Sequence, residues 1–464
     1  MNSQLAVDLL VIGFGKGGKT LASTLAAQGR RVALVEESAQ MYGGTCINTG
    51  CVPTKSMVYQ SEKLRTGDDA KSAYARAVAT TEQLTAGLRW TNQSMFDPIA
   101  TATVLTGTAR FVNRTAVEID TPAGIVTVTA DTIVIGTGSQ PVIPDIPGLA
   151  DCPVAYTSAE MLHRAALPDR LVILGGGYIG LEFASMYAGY GTSVTVLERR
   201  PAVLSSEDDD IADTARSLLT GRGVDLVTDA DVIGVRTVPR PGGLPTARVE
   251  YMVDGRSAAV EADAVLVALG RRPNTLDLNL EQAGVDTTAN AAIVVDEYRR
   301  TTQPHILAVG DANGGPQFTY ISLDDYRIVL DQLTEVPNPR SAADRKAVPN
   351  CLFLTPPLAR VGMSEREART AGMQVKVAAS PVVTLATVAR ARIVEQTAGM
   401  MKVVVDARTD EILGAALLCH DAQEVINLVA LAMRHGITAT ALRDEIYTHP
   451  SMSEAFNQLL GKLQ

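Results

Sequence analysis

The most constraining feature of this sequence is a pattern of strand, glycine-rich turn, helix and strand that occurs twice. In the first copy, the apolar run 8–12 leads into the glycine-rich turn 13–18, and a second apolar run, 32–35, ends at Glu36. Short apolar runs joined through a helical stretch are typical of parallel strands in α/β proteins. The pattern therefore predicts a βαβ unit near the beginning of the chain.

The second copy begins at the apolar run 171–174 and continues through the glycine-rich turn 175–180 to a run, 194–197, that ends at Glu198. In each copy the acidic residue lies 23 residues after the first glycine. A chain of 464 residues exceeds the length that one hydrophobic core usually supports, so several domains are expected. The repeat predicts an α/β protein in which two of these domains are Rossmann-like.

The glycine spacing in both turns indicates dinucleotide binding. The first glycine allows a sharp turn, the second lets the backbone approach a pyrophosphate, and the third lets the helix pack against the strand. The acid at the end of the second strand accepts hydrogen bonds from a ribose. The residues at these positions are Gly13, Gly15, Gly18 and Glu36 in the first copy and Gly175, Gly177, Gly180 and Glu198 in the second. One such motif is weak evidence, whereas two in the same context indicate two different dinucleotides.

Three later segments complete the predicted domains. Apolar strands within 132–139 and 264–274 end in glycine turns, and the run 306–309 is followed by Gly310 and Asp311. Beyond residue 349 the pattern changes to strands followed by a helix, which predicts a separate α+β domain. The predicted division is 1–150 and 273–345 for one discontinuous dinucleotide domain, 151–272 for the second, and 346–464 for a C-terminal dimerisation domain.

Composition argues against several kinds of partner. The formal net charge is -10 and no basic block occurs, so binding to nucleic acid or to an anionic membrane is not expected. No stretch approaches the roughly 18 apolar residues of a membrane span, and the first apolar run lacks the basic lead of a signal peptide. These features predict a cytoplasmic protein, in which structural disulfides are rare.

Two of the five cysteines, Cys46 and Cys51, lie just after the first glycine-rich turn. In a regular helix their Cα atoms would be about 8–9 Å apart, whereas a disulfide needs less than about 7 Å. The backbone between them must therefore be distorted, which Gly50 permits.

The position of these cysteines at the beginning of a helix also favours a thiolate. A dithiol beside a dinucleotide indicates two-electron transfer, the alternatives being a structural bridge or half of a metal site. Buried apolar positions are expected for the others, Cys152, Cys351 and Cys419.

In their order along the chain, these motifs resemble those of the flavoprotein disulfide reductases. That family includes glutathione reductase, dihydrolipoyl dehydrogenase and mercuric reductase. The resemblance covers nearly the whole length, because the cysteine segment 43–55, Gly310, Asp311 and the C-terminal segment 449–454 match it together with both glycine turns.

Within the family, three segments are most similar to the bacterial reactive-chlorine-resistance flavoproteins. They are residues 41–48, 317–329 and 355–363. Flavoproteins of that branch are associated with copper(II) reduction and with the detoxification of hypothiocyanous acid or related oxidants. The resemblance therefore implies an enzyme of oxidative-stress defence.

The resemblance also implies two cofactors. FAD would occupy the first unit, with Glu36 on its adenosine ribose and Asp311 near its ribityl-pyrophosphate part. A nicotinamide dinucleotide would occupy the second unit, where Tyr178 resembles an aromatic lid. Glu198 favours NADH, because a carboxylate repels the 2′-phosphate of NADPH, whereas the adjacent Arg199 and Arg200 leave a phosphate possible. The further cofactor-binding residues implied are Gly44, Thr45, Lys55, Thr137, Gly138, Gly270, Arg271 and Gly310.

For the reaction, the resemblance implies that electrons pass from the nicotinamide through FAD to the cysteine pair. Cys51 would be the flavin-facing thiolate, and Cys46 would be the outward thiol that attacks the acceptor. Lys55 and Glu182 resemble the lysine–glutamate pair beside the reactive nitrogen of the flavin, where a positive charge stabilises the reduced ring.

His449 is the implied acid–base residue, since an unperturbed histidine exchanges protons near neutral pH. Glu454, five residues later, would orient its ring. In the family this histidine reaches the cysteines of the other subunit, so the resemblance implies a homodimer.

The expected acceptor is a small oxidant such as hypothiocyanous acid, or copper(II). Mercury(II) is less favoured, because the C-terminal cysteine pair of mercuric reductases is absent from residues 459–464. A disulfide reductase resembling dihydrolipoyl dehydrogenase or glutathione reductase is the alternative. Other classes are an NADH oxidase, against which the paired cysteines argue, and a non-catalytic flavin sensor. No resident metal site is predicted.

Overall fold

The computed structural model of the protein describes residues 3–65, 67–386 and 388–464. Within these ranges, no helix combines the length and the apolar character that a membrane crossing requires.

The described residues form strands that belong to five sheets. In chain order they are β1 (Ser3–Ile12), β2 (Val32–Glu36), β3 (Ala102–Thr106), β4 (Thr108–Phe111), β5 (Ala116–Thr121), β6 (Gly124–Ile135), β7 (Ser139–Pro141), β8 (Ala155–Thr157), β9 (Arg170–Leu174), β10 (Ser193–Leu197), β11 (Val224–Val227), β12 (Asp231–Val238), β13 (Thr246–Val253), β14 (Arg256–Ala262), β15 (Ala264–Val267), β16 (Arg271–Pro273), β17 (Ile306–Ala308), β18 (Asn350–Leu352), β19 (Leu358–Gly362), β20 (Val375–Pro381), β21 (Met400–Asp406) and β22 (Ile412–Leu418).

The helices pack on these sheets, and short 3₁₀ turns connect several elements. In chain order the α-helices are α1 (Lys16–Ala27), α2 (Thr45–Asn48), α3 (Cys51–Glu62), α4 (Ala70–Ser94), α5 (Ser158–Leu162), α6 (Tyr178–Gly189), α7 (Asp209–Gly221), α8 (Leu280–Ala283), α9 (Thr319–Leu333), α10 (Glu365–Thr370), α11 (Ala389–Ile393), α12 (Ala422–Arg434), α13 (Ala439–Asp444) and α14 (Ala455–Leu459).

The first sheet has the strand order β3-β2-β1-β6-β5-β4, and β17 also pairs with β6. Its central strand β1 runs parallel to both β2 and β6. The register pairs Ile12 with Val35 and Ile135, and Ile135 with Ala308. Four parallel strands therefore end side by side, so the residues that follow them meet at one edge, where α/β sheets bind their ligands.

The second sheet repeats this arrangement with the parallel order β11-β10-β9-β15-β8. Leu174 lies between Leu197 and Val267 in the register. The second glycine turn and Glu198 consequently lie at the carboxyl edge of this sheet, as their counterparts do in the first.

Beyond the second sheet, an antiparallel three-stranded sheet forms from β12, β13 and β14, which the sequence patterns did not predict. The C-terminal sheet has the antiparallel order β18-β19-β22-β21-β20 and packs against α12 over a separate buried core. The predicted fold class, α/β with a C-terminal α+β domain, is confirmed.

Candidate active site

Two glycines of the first turn, Gly13 and Gly18, are packed too closely against the backbone to be replaced by residues with side chains. Gly13 has φ +106°, and a Cβ there would lie 2.3 Å from the carbonyl oxygen of Gly136. A Cβ on Gly18 would lie 2.7 Å from the carbonyl oxygen of Gly13, because α1 packs closely on β1. Gly44 approaches Gly15 just as closely, so the segment that carries the cysteines rests on the beginning of α1.

The second turn has the same geometry. Gly175 has φ +101°, and a Cβ on it would lie 2.6 Å from the carbonyl oxygen of Ala268. A Cβ on Gly180 would lie 2.0 Å from the carbonyl oxygen of Gly175. Gly177 precedes the first residue of α6, so the free N–H groups at this helix end face the turn.

Each predicted ribose-binding acid is held by backbone N–H groups at the end of its strand. Glu36 accepts hydrogen bonds from the N–H of Phe14 at 2.9 Å and of Glu37 at 3.0 Å. Glu198 accepts from Gly176 at 2.7 Å and from Arg200 at 2.9 Å. Burial raises the pKa of Glu36 to about 7. Both carboxylates are thereby oriented before any ligand binds.

Asp311 is joined to two other residues of the predicted cofactor site. Ser139 Oγ donates to Asp311 at 2.6 Å, and Arg271 Nε donates to Ser139 Oγ at 2.9 Å. Burial raises the pKa of Asp311. The structure thus brings Arg271 to the first dinucleotide unit, across the short pairing of β7 with β16.

Asp325 supports this turn, and the sequence analysis missed it. Its carboxylate is fully buried and accepts a hydrogen bond from the N–H of Gly310 at 2.7 Å. It also accepts from Asn313 at 3.1 Å and from Arg345 at 2.5 Å. The segment 317–329 contains Asp325, but nothing in that pattern distinguishes a buried acid from an acid on the exposed face of α9.

The two cysteines lie on either side of a break between α2 and α3. Gly50 interrupts the helix with φ -127° and ψ -118°, and a Cβ there would lie 3.0 Å from the carbonyl oxygen of Thr45. The backbone is therefore not a regular helix across this pair. Cys46 and Cys51 are both free thiols, and Cys51 Sγ lies 3.8 Å from the hydroxyl oxygen of Thr319.

The neighbouring thiols have opposite pKa shifts. The hydrogen bond from Cys46 lowers the pKa of Cys51 to about 6, and the positive charge of Lys55 contributes. The same hydrogen bond, together with burial, raises the pKa of Cys46. A thiol at the beginning of a helix was expected to have a lowered pKa. The shift of Cys51, the first residue of α3, has this direction, whereas that of Cys46 has the opposite direction.

Lys55 is placed beside Cys51 by a buried carboxylate. Its Nζ lies 2.9 and 2.8 Å from the two oxygens of Glu182 and 4.6 Å from the centre of the Phe353 ring. The backbone N–H of Phe353 also donates to Glu182 at 2.9 Å. Glu182 on α6 therefore orients the ammonium group of Lys55 on α3, as the predicted lysine–glutamate pair requires.

A pH titration of thiol alkylation would test this electrostatic arrangement. Because the thiolate forms as the pH rises through about 6, modification of Cys51 should increase between about pH 5 and 7. Lys55→Met should raise the pKa of Cys51 and slow its alkylation at pH 6 by roughly threefold to tenfold. Mass spectrometry of the modified peptide measures the rate. Lys63→Met, at the far end of α3, is the matched control, and an equal effect of both substitutions would contradict the prediction.

Two further residues fix the cysteine segment, and neither was predicted. Asn48 is buried and donates to the carbonyl oxygens of Tyr42 and Gly44, both at 3.0 Å. Arg89 Nε donates to Asn48 Oδ1 at 2.9 Å. Arg89 reaches this amide from α4, so only the packing of α4 against the segment could reveal the contact.

Tyr178 lies at the beginning of α6, where its hydroxyl donates to Asn350 Oδ1 at 3.2 Å. Burial raises its pKa to about 12, so the phenol stays neutral. The ring is part of the wall between the second glycine turn and the cysteines. This position is compatible with the predicted lid.

His449 and Glu454 form a local pair, with 2.9 Å between His449 Nδ1 and Glu454 Oε2. Glu454 also accepts from the N–H of Ser451 at 3.0 Å, which fixes the carboxylate. The histidine side chain is 68% exposed. Within the described part of the chain, the cavity that contains Cys46 and Cys51 is not lined by this histidine.

A cavity of about 1830 Å³ connects most of these features, whereas Asn48, Arg89, Asp325 and the His449–Glu454 pair do not line it. Its wall includes both glycine turns, both cysteines, Lys55 and Asp311. In the described residues, the buried Thr137 Oγ1 in this wall has no hydrogen-bond partner. The volume of the cavity, the closely packed glycines and this unpaired hydroxyl fit FAD in the first unit and a second dinucleotide in the other. In residues 3–65, 67–386 and 388–464, no group of three or more His, Cys, Asp or Glu side chains is arranged to hold a metal ion.

Comparison with protein families gave two matches. Residues 7–325 match the family model described as pyridine nucleotide-disulphide oxidoreductase. Residues 348–460 match the model of the dimerisation domain of the same family.

Individual relatives agree with these matches. The chain is 44% identical over 461 residues to "Probable pyridine nucleotide-disulfide oxidoreductase RclA" of Escherichia coli, with 99% of each chain covered. It is 32% identical to a mercuric reductase of Staphylococcus aureus, covering 96% of this chain and 80% of the relative. It is 31% identical to dihydrolipoyl dehydrogenase of Geobacillus stearothermophilus, covering 97% and 94%.

Among solved structures, a similar one is described as the Cu(II) complex of HOCl-induced flavoprotein disulfide reductase RclA from Escherichia coli. The two folds superpose with a TM-score of 0.92 at 43% identity, and 99% of each chain is covered.

Proposed function

Because this chain belongs to the pyridine nucleotide-disulfide oxidoreductase family and is a flavoprotein oxidoreductase, we propose that it oxidises NADH and reduces a small oxidant through Cys46 and Cys51. The proposed acceptor is hypothiocyanous acid or a related reactive species, with copper(II) as a second substrate. The observation that carries the proposal is the pair of free thiols, with pKa shifts of opposite direction, in the wall of a cavity of about 1830 Å³ that both glycine turns also line.

The choice of acceptor rests on similarity. The relative with 44% identity is described in its solved structures as HOCl-induced, and one of those structures is a Cu(II) complex. The mercuric reductases that match are less similar, at 32% identity or below. These descriptions support oxidant defence as the role of the present chain.

The two cofactors would be held by residues already described. FAD would lie on Gly13, Gly15 and Gly44, with Glu36 at its adenosine ribose and Asp311 near its ribityl-pyrophosphate part. When bound, FAD accepts a hydride from the nicotinamide and passes two electrons to a disulfide. The nicotinamide dinucleotide would lie on the second glycine turn, with Tyr178 covering its site.

In the acceptor half-reaction, the two thiols supply both electrons. Cys46 attacks the electrophilic sulfur of hypothiocyanous acid, Cys51 closes the Cys46–Cys51 disulfide, and thiocyanate and water leave. For copper(II), the same disulfide forms while two ions are each reduced by one electron and Cys46 releases its proton. The hydrogen bond from Cys46, with the positive charge of Lys55 contributing, lowers the pKa of Cys51, so that the thiolate that closes the disulfide is present at neutral pH.

In a homodimer, His449 of the partner subunit would be the acid–base residue that exchanges a proton when Cys46 reacts with the acceptor. Two features support this assignment. His449 is held by Glu454 yet is exposed on its own chain, and residues 348–460 match a dimerisation domain.

Steady-state kinetics with a panel of acceptors would test the proposal. Oxidation of NADH and NADPH should be measured with hypothiocyanous acid, copper(II), mercury(II), glutathione disulfide and lipoamide. The highest kcat/KM is expected with hypothiocyanous acid, and peroxide should stay low without an added acceptor. A preference for lipoamide would contradict the assignment, and abundant peroxide would favour an NADH oxidase.

Cofactor preference can be tested separately at Glu198. Glu198→Ala removes the negative charge that would repel a 2′-phosphate, so the NADPH to NADH ratio of kcat/KM should rise about tenfold, or about 1.4 kcal/mol. Asp277→Ala removes a charge from the part of the same cavity wall that belongs to the first dinucleotide unit and serves as the control. An unchanged ratio in Glu198→Ala would show that this carboxylate does not select NADH.

A further inference from the structure

Lys19 is a buried lysine that the proposed reaction does not use. It lies in the first turns of α1 and is only 6% exposed. Its Nζ donates to the side-chain oxygen of Asn92 on α4. Among the residues that the structure describes, no carboxylate lies within ion-pair distance of this ammonium group. Burial of a cation beside an uncharged partner costs free energy, so such buried lysines are rare in proteins.

Asn92 cannot easily turn away from this lysine. Its amide nitrogen donates to the carbonyl oxygen of Leu88 at 2.7 Å, one turn earlier in α4. The amide oxygen is therefore left to face Lys19. This arrangement fixes the ammonium group between α1 and α4.

The cysteine segment lies across the same two helices. A Cβ on Gly44 would lie 2.7 Å from the Cα of Gly15, just before α1. A Cβ on Gly43 would lie 3.5 Å from the Cγ of Asn92. Gly43 and Gly44 thus contact the two helices that Lys19 joins, so the ammonium group lies near the segment that carries Cys46.

The charges of these two groups act on each other. Burial lowers the pKa of Lys19 to about 8, with Lys16 on the same helix acting in the same direction and Cys46 opposing it. Conversely, the hydrogen bond with Cys51 on α3 and burial raise the pKa of Cys46, whereas the Thr319 hydroxyl on α9 and the Lys19 charge oppose this rise with smaller effects. Among the groups named as acting on Cys46, Lys19 is the cation.

We propose that Lys19 is a positioning residue that acts as the internal counter-ion of the Cys46 thiolate. The inference rests on the proposed role of Cys46 as the attacking thiol. Once Cys51 is ionised, a second negative charge beside it is unfavourable unless a nearby cation compensates. Because no carboxylate neutralises Lys19 in the described residues, its charge is available to Cys46.

The test is the pH dependence of Cys46 alkylation by iodoacetamide in FAD-loaded protein that has been reduced with dithiothreitol and freed of the reductant. Lys19→Met should slow alkylation of Cys46 at pH 7.5 by about threefold to tenfold, whereas Lys19→Arg should restore most of the rate. The difference between wild type and Lys19→Met should shrink as the pH rises past about 8, where Lys19 loses its proton. A purely structural role would not produce that convergence.

Two further variants keep the test decisive if Lys19→Met folds poorly. Asn92→Asp places a carboxylate against Lys19 without altering the lysine, and it should slow Cys46 alkylation as well. Lys71→Met removes an exposed charge from the far end of α4 and should have no effect. Identical rate–pH profiles for wild type, Lys19→Met and Asn92→Asp would overturn the inference. Since alkylation needs no acceptor, this result is independent of whether the proposed substrate is correct.

Discussion

Replacing Cys46 with serine should leave NADH able to reduce the bound FAD while slowing steady-state turnover by roughly a thousandfold or more. The hydroxyl of serine cannot form the disulfide with Cys51, so the two electrons have no route from the dithiol to the acceptor. Stopped-flow absorbance of the flavin and steady-state oxidation of NADH with hypothiocyanous acid measure the two steps separately.

Cys351→Ser is the matched control, because Cys351 also lies in the cavity wall. Burial raises the pKa of this third thiol, so it stays protonated and should contribute little. Turnover of Cys351→Ser is expected to stay near that of wild type. Full turnover by Cys46→Ser would refute the dithiol step.

Asp325→Ala should cause the largest loss of stability. The substitution leaves Arg345 and Arg299 without their shared counter-ion, and it removes the acceptor of the Gly310 N–H group. Breaking a buried ion pair costs about 3–5 kcal/mol. We expect a decrease of this size in the free energy of unfolding, measured by urea titration, together with easier release of FAD.

Asp324→Ala is a close comparison, since Asp324 pairs with the same Arg345 at 2.7 Å but is 29% exposed. Solvent screens such a pair, so the loss should be about 1 kcal/mol or less. Equal destabilisation by both substitutions would mean that burial does not decide the effect. Unaltered stability of Asp325→Ala would remove the assigned role of this carboxylate.

Most of the fold could be predicted because its signals are local. Gly13 and Gly175 adopt positive φ values that other residues rarely tolerate, and each follows an apolar strand. The predicted strands are correct, although β1 and β6 each extend well before the apolar runs that revealed them. The sheet of β12, β13 and β14 was missed, since its strands are partly exposed and lack an apolar run.

The local part of the candidate site could also be predicted. Cys46 and Cys51 are separated by one short break, and Glu454 reaches His449 across five residues. Lys55 and Glu182 are 127 residues apart in the sequence, so their pairing was predicted only from the family resemblance.

The sequence by itself determined where the chain turns, which residues can meet a dinucleotide, and that two thiols lie close together. Only the tertiary structure decided in which direction the pKa of each thiol shifts, that Lys19 is buried near the segment that carries Cys46, and that Asp325 holds the turn of Gly310. Backbone preferences depend on neighbouring residues, so they can be read along the chain. Electrostatic energies depend on distance and burial, and these are set when segments far apart in sequence pack together.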